Sequence, residues 1–318
     1  MMTHPTKVRK ERTRGAPILL FICLFAIACT DSAPGPRGTW RTVSSPDGEI
    51  IRLDKPPTRL VSASAGITEM LLVLVGRDRI AAVPNHVFTG WATDCGARED
   101  WPGRVLHRYR GEAVLGFKPD LVIAQTYQSR DTTRVLRESG VPVMCLPEVR
   151  SFEDLVRDIE IMGQVVGEDS KAASLVADLR VRMGALAADD RRKDVRILSY
   201  SDYGTGGWTA GADCSADLMI RLAGMKNAGA DSGRSGHWQI DKEGLVDLDP
   251  DVILFGRDGS GRAPAADLLR EDALLKRLRA VENGHVVFLP TALWNSTSHR
   301  LLDAAESLAK AVDDLTGG

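Results

Sequence analysis

EAVLGFKPDLVIA (residues 112–124) returns further along the chain as EGLVDLDPDVILF (243–255). Each copy sets apolar residues at helical spacing, Val114, Leu115 and Phe117 in the first and Leu245, Val246 and Leu248 in the second. Pro-Asp and an unbroken apolar run follow. Proline ends the helix, and an apolar run of this length reads as a strand buried on both faces, as in parallel sheets. The echo extends outward: RLVSAS (59–64) matches RILSYS (196–201), and TEMLLVLVG (68–76) matches ADLMIRLAG (216–224). A repeat unit of this size is too long for a solenoid. It predicts two similar α/β lobes.

Working outward, the first lobe is expected over 58–150, with strands at 59–63, 80–83, 120–124 and 141–146 and helices at 67–75 and 131–138. Gly76 stops the first helix. The stretch 88–110, with Trp91, Cys95 and Trp101, has little periodicity and reads as a surface excursion. Two helical stretches fill 151–193, the second opened by Asp169 or Ser170 as cap. At 1.5 Å per residue its roughly twenty residues span about 30 Å, enough to reach from lobe to lobe. The second lobe, 194–318, starts with a strand at 195–200 and ends with a strand at 286–289 and a helix at 298–315. The fold class is α/β: two Rossmann-like lobes with central sheets, joined by a single long helix.

Lys+Arg at 41 against Asp+Glu at 43 leaves a net charge of −2, so nothing in the overall balance favours nucleic acid. The start of the chain is of another kind. Lys7, Arg9, Lys10, Arg12 and Arg14 precede APILLFICLFAIA (16–28), an apolar stretch too short for a comfortable membrane span. Residues 1–28 read as a signal peptide, and 29–57 as a tether and lead-in, of which 30–39 (TDSAPGPRGT) has the composition of a flexible tether. Ala26-Ile27-Ala28-Cys29 resembles the lipobox of bacterial lipoproteins, with Ala26 in place of the usual leucine-like residue. That resemblance implies lipidation of Cys29 and anchoring to the membrane in the cell envelope, facing the periplasm or the exterior; the protein is expected to be a monomer. Cys95, Cys145 and Cys214 are an odd set in an oxidising compartment and are expected to be free, partly buried thiols.

Four features together resemble a known family: RLVSASAGITEMLLVLVG, the paired Glu-to-Pro-Asp segments, WTAGADCSADLMIRLAGMKN, and LWNSTSHRLLDAAESLAKAV. They resemble the iron-siderophore, haem and cobalamin periplasmic substrate-binding proteins of ATP-binding-cassette (ABC) importers, over about 59–315. The resemblance implies two lobes on one long helix, an iron chelate or corrinoid held between them, and delivery to an ABC permease without chemistry.

The residues themselves point to the same crevice. In open α/β sheets, ligands bind beyond the carboxyl ends of the strands, and several of the chain's few aromatic residues fall at those ends and in adjoining loops. The candidates are Trp91, Tyr127, Tyr203, Trp208, Trp238 and Trp294, with Ser64 at the end of the first strand and Arg257 as a planar fork for an acidic group. Taken singly, a tryptophan is as often a packing residue and an arginine at a strand end is usually just solvated. Trp208 and Trp294 gain weight from their family positions, and Trp238, in GHWQ, resembles a cleft-lining position of cobalamin binders.

Docking to a permease is where the sequence departs from the family, whose members present an acidic residue on each lobe. Asp131 is the match in the first lobe, but Lys226 stands where glutamate is usual in the second. That leaves a surface sensor or scavenger without a permease as one alternative, and a divalent-metal receptor as another. Only His86 and His237 lie in cleft loops, and neither sits in an HxH or HxxxH pair. There is no GxSxG, Walker or metal-protease motif, so no enzyme and no cofactor are expected. Tetrapyrrole chelatases share a two-lobe plan, but an export signal argues against that reading.

Overall fold

The computed structural model describes residues 38–90, 95–202, 206–257, 261 and 263–317. A hairpin of β1 (Arg41–Ser44) and β2 (Ile50–Leu53) precedes the first sheet. Then come β3 (Leu60–Ser62), α1 (Ala65–Val75), β4 (Ile80–Pro84), β5 (Val105–Leu106), α2 (Gly111–Leu115), β6 (Leu121–Gln125), α3 (Arg130–Glu138) and β7 (Val143–Leu146). All five strands are parallel, in the order β5-β4-β3-β6-β7. The order reverses between β3 and β6, so their carboxyl ends flank a crevice.

The chain passes to the second sheet once, through α4 (Phe152–Val166) and α5 (Asp169–Ala187). The second lobe holds β8 (Arg196–Asp202), β9 (Gly207–Ala210), α6 (Ser215–Leu222), β10 (Lys226–Asn227), β11 (His237–Ile240), α7 (Lys242–Leu248) and β12 (Val252–Arg257). It closes with α8 (Pro264–Glu271), α9 (Arg279–Glu282), β13 (Val286–Pro290), α10 (Thr291–Trp294) and α11 (Leu301–Thr316). Its sheet is mixed, in the order β11-β9-β8-β12-β13, with β10 beside β8. Here β9 runs antiparallel to β8 and β11 antiparallel to β9, while β8, β12 and β13 are parallel.

The sequence repeat is also a structural one. Asp120 accepts from the N–H groups of Thr58 (2.7 Å) and Arg59 (2.9 Å), and Asp251 accepts from the N–H of Arg196 (2.9 Å). In turn the Arg59 guanidinium donates to the carbonyls of Phe117 and Lys118, and that of Arg196 to those of Leu248 and Asp249. Each Pro-Asp turn is thus pinned to the start of its neighbouring strand. The residue before each proline, Lys118 (φ 49°) or Asp249 (φ 33°), adopts left-handed backbone, which non-glycine residues seldom do.

The sheets are separate, but the apolar core between them is continuous. One cluster joins Leu60 and Leu71 of the first lobe, Met162, Val176 and Leu179 of α4 and α5, and Met219 and Leu308 of the second. The 19-residue α5 packs on α4, α6 and α11, so the rod turns one face, with Ala172, Val176, Leu179 and Leu186, to the core and leaves the other, with Val181, exposed.

One expectation, the cap of α5, needs correction, and two others gain detail. The stretch 88–110 is a surface excursion through most of its described part, but it is anchored to the lobe. It contains β5, and Trp101 is 1% exposed, its indole donating to the Cys95 carbonyl (2.8 Å) with Arg77 and Arg104 over its ring. A loop folded around one large side chain carries no periodic face, so periodicity could not reveal it. The lead-in after the tether has a structure of its own, since Val43, Ile51 and Leu53 of the hairpin are buried. Its signal was the Pro46-Asp47-Gly48 turn between two short alternating runs. Finally, Glu168 is the residue that caps α5, without a side-chain bond, while the Asp169 carboxylate is held by Arg41 (2.7 Å).

Candidate functional site

At the second lobe's strand ends, a cavity of about 400 Å³ opens between Gly90 of the first lobe and Arg257, Phe288, Pro290, Thr291 and Ala292. Register places Arg257 beside Pro290 at the last positions of β12 and β13. The Arg257 guanidinium lies over the Phe288 ring, 4.3 Å from its centroid. Phe288 stacks on Phe255 (5.7 Å, 24°), which meets Tyr200 edge-on. An aromatic ladder therefore runs from the core of the lobe to the cavity wall. Arg257 was expected at the site; Phe288 was missed, because an aromatic inside an apolar strand reads as core.

On the first lobe, Gln128 ties the crevice edges together by donating from its side chain to the Ala63 carbonyl (2.5 Å). Tyr127 beside it is 62% exposed, its hydroxyl donating to Gln125 (2.5 Å). Glu148, beyond β7, acts across the gap. Burial raises the pKa of Tyr127, in the lobe of Glu148, and of Cys214, in the other, and the Glu148 charge adds a smaller push to each. That charge also opposes the lowering that desolvation imposes on His237. His86, at the end of β4, is likewise held below the ordinary histidine value by desolvation.

Other candidates stand elsewhere. Ser64 is buried, capping α1 by accepting from the Ile67 N–H (3.3 Å). Trp208 and Trp238 occupy adjoining strands of one ribbon, but register pairs Trp238 with Thr209 and Trp208 with Gln239, so the two rings project from opposite faces. Arg234 lies over the Trp238 ring at 4.5 Å. Trp294 is half-buried, donating from its indole to Ser199 (2.9 Å). Trp91, Tyr203 and Cys29 lie outside the described residues. Asp131, 91% exposed, starts α3 at the carboxyl end of its sheet. Lys226 pairs with Asp194 (2.8 Å) at the amino end of the other.

A second cavity of about 490 Å³ lies along α3, bounded by Arg130, Arg134, Arg137, Asp47 and Cys145. Its Arg134 and Arg137 are already matched by Glu138 and Asp47. Among the described residues, no three His, Cys, Asp or Glu side chains converge to hold a metal ion, and no helix is long and apolar enough to cross a membrane.

Two α/β lobes joined by a helical rod, with a cleft at the strand ends, have the plan of a substrate-binding protein. Residues 60–293 match the periplasmic binding protein family, and the chain belongs to it. It is thus a binding protein and not an enzyme. It is 28% identical to a cobalamin-binding protein of Halobacterium salinarum over 279 residues, covering 86% of this chain and 75% of that one. It is 25% identical to the uncharacterized ABC transporter substrate-binding lipoprotein YvrC of Bacillus subtilis over 292 residues, covering 85% of each. Among solved structures, the periplasmic heme-binding protein RhuT from Roseiflexus sp. RS-1 superposes with a TM-score of 0.67. Its identity is 22%, over 81% of this chain and 98% of that one.

Proposed function

We propose that this chain is a lipid-anchored, extracytoplasmic binding protein that captures an iron chelate, haem or a corrinoid between its lobes and hands it to an ABC permease. The observation that carries the reading is the cavity between Gly90 and the ends of β12 and β13, set where α/β sheets receive ligands. Its aromatic backing by Phe288 suits a large conjugated molecule. The named functions of relatives support this choice of ligands, with cobalamin on one side and haem on the other. Anchoring through Cys29 is supported by the leader and by the lipoprotein relative.

Bound ligand stabilises by mass action. The purified protein should therefore gain thermal stability with at least one of a ferric siderophore, haem or cyanocobalamin. No shift with any of them would reject the reading. Lys226, at the amino end of its sheet and paired with Asp194, does not occupy a position matching Asp131, and recovery of a permease on crosslinking would eliminate the alternative of a sensor or scavenger without one. Cys29→Ser should release the protein from membranes.

A further inference from the structure

Arg257 is the only charged residue lining the interlobe cavity among the described residues. Several arginines elsewhere in the fold sit against carboxylates, among them Arg182 against Asp303 and Glu306, Arg192 against Asp189 and Asp313, and Arg196 against Asp231. Arg234 rests on the Trp238 ring as Arg257 does on Phe288, but none of these others lines the interlobe cavity. Arg257 has neither an ion-pair partner nor a side-chain hydrogen bond among the described residues, and its one contact of note is the face of Phe288. A guanidinium resting on a ring keeps its N–H edges for other acceptors. Its five donors match paired anionic oxygens in a way no amide group does. Across the gap, Glu148 is matched by Arg150 of its own lobe (3.4 Å).

Cobalamin and haem, two of the ligands named among the relatives, differ in charge at their rims. A corrinoid is rimmed by neutral amides, whereas haem carries two carboxylates. We propose that Arg257 makes this cleft selective for ligands bearing a carboxylate or similarly paired anionic oxygens, at the expense of amide-rimmed corrinoids. This rests on the reading of the cleft as the ligand site.

The test uses the full chain in detergent, titrated with haem, haem dimethyl ester and cyanocobalamin, for the wild type and for Arg257→Gln and Arg257→Lys. Because Arg257 is exposed, the variants should unfold at the wild-type temperature. Haem should bind the wild type at least tenfold more tightly than either the ester or cyanocobalamin. Arg257→Gln should erase that advantage, leaving the ester unaffected, and Arg257→Lys should restore part of it. Equal binding of haem and its ester, an unchanged haem affinity in Arg257→Gln, or tighter binding of cyanocobalamin would overturn the proposal and leave the carrier reading intact. Absence of binding by all three would overturn this proposal, and the carrier reading falls with it only if ferric siderophores also fail to bind.

Discussion

Ser298 of the second lobe donates its hydroxyl to the Glu69 carboxylate of the first, at 2.5 Å and out of contact with water. Next to it, Thr297 presses on Gly66, where an added Cβ would stand 2.3 Å from the threonine hydroxyl oxygen and 3.1 Å from its backbone. The lobes therefore meet through a polar bond and a close backbone approach as well as through the rod.

Removing the Ser298 hydroxyl leaves a buried oxygen without that donor. Ser298→Ala should cost about 1.5 to 3 kcal/mol in chemical denaturation. Gly66→Ala should cost about 1 to 3 kcal/mol by overpacking, since the backbone of Thr297 cannot rotate away. Both changes act on one seam, so the double variant should lose less than the two losses added. Strict additivity would show the contacts to be independent.

Stability should also depend on Asp158. This carboxylate is 1% exposed on α4, and burial raises its pKa to about 6, against the pull of Arg157, from an ordinary value of 3.8. The folded state therefore holds the proton more tightly than the unfolded chain. The site's contribution is full below pH 3.8 and is lost as pH rises through about 6. The shift corresponds to about 3 kcal/mol. Asp158→Asn, which keeps an oxygen for Arg157, should raise stability at pH 7 relative to wild type and leave it nearly unchanged at pH 4. An equal effect at both pH values would show that Asp158 does not titrate in this range.

Thiol chemistry should follow burial. Cys95 and Cys145 are buried, and burial, then the Asp47 charge, pushes the Cys145 pKa up to about 11. Cys214 is half-buried and also raised, mainly by burial. A disulfide reagent at pH 8 should label Cys214 slowly and first, and the other two only on unfolding. Fast labelling of Cys145 in the native protein would contradict its placement against β6 and α3.

How far the sequence reveals this fold depends on which forces write a pattern into it. The two copies of helix, Pro-Asp and strand were legible because each must be apolar on both faces, and α2–β6 and α7–β12 lie where the repeat puts them. The rod was legible from its length. The ribbon of β9 and β11 was not, since its few residues sit between glycines at a sheet edge and leave no apolar run. At the site, Arg257 could be inferred from its place after a strand. The contact that gives it direction, with Phe288 on the neighbouring strand, is long-range and has no local signature. Ser64 misled for the opposite reason: a hydroxyl at a strand end suits a ligand and a helix cap equally, and the backbone of α1 claims it.

Trp294 tests the same ambiguity for an aromatic residue. Its ring covers Gly256 of β12, where a Cβ would lie 2.6 Å from Cε3, and its indole N–H is already given to Ser199. Those contacts make it part of the second lobe's packing, at the edge of the cavity formed by Thr291 and Ala292. Trp294→Ala should therefore destabilise by about 2 to 4 kcal/mol, as large aromatic deletions do when burial is partial. Gly256→Ala, which pushes on the same ring without touching the cavity wall, should reproduce a share of that loss. Trp294→Phe should keep most of the packing and forfeit only the bond to Ser199, about 1 kcal/mol. Urea denaturation of the three variants, beside ligand titration of each, separates the roles. Packing predicts that affinity follows stability through the series. A Trp294→Ala protein as stable as wild type but unable to hold ligand would move this side chain from the scaffold to the wall of the cleft.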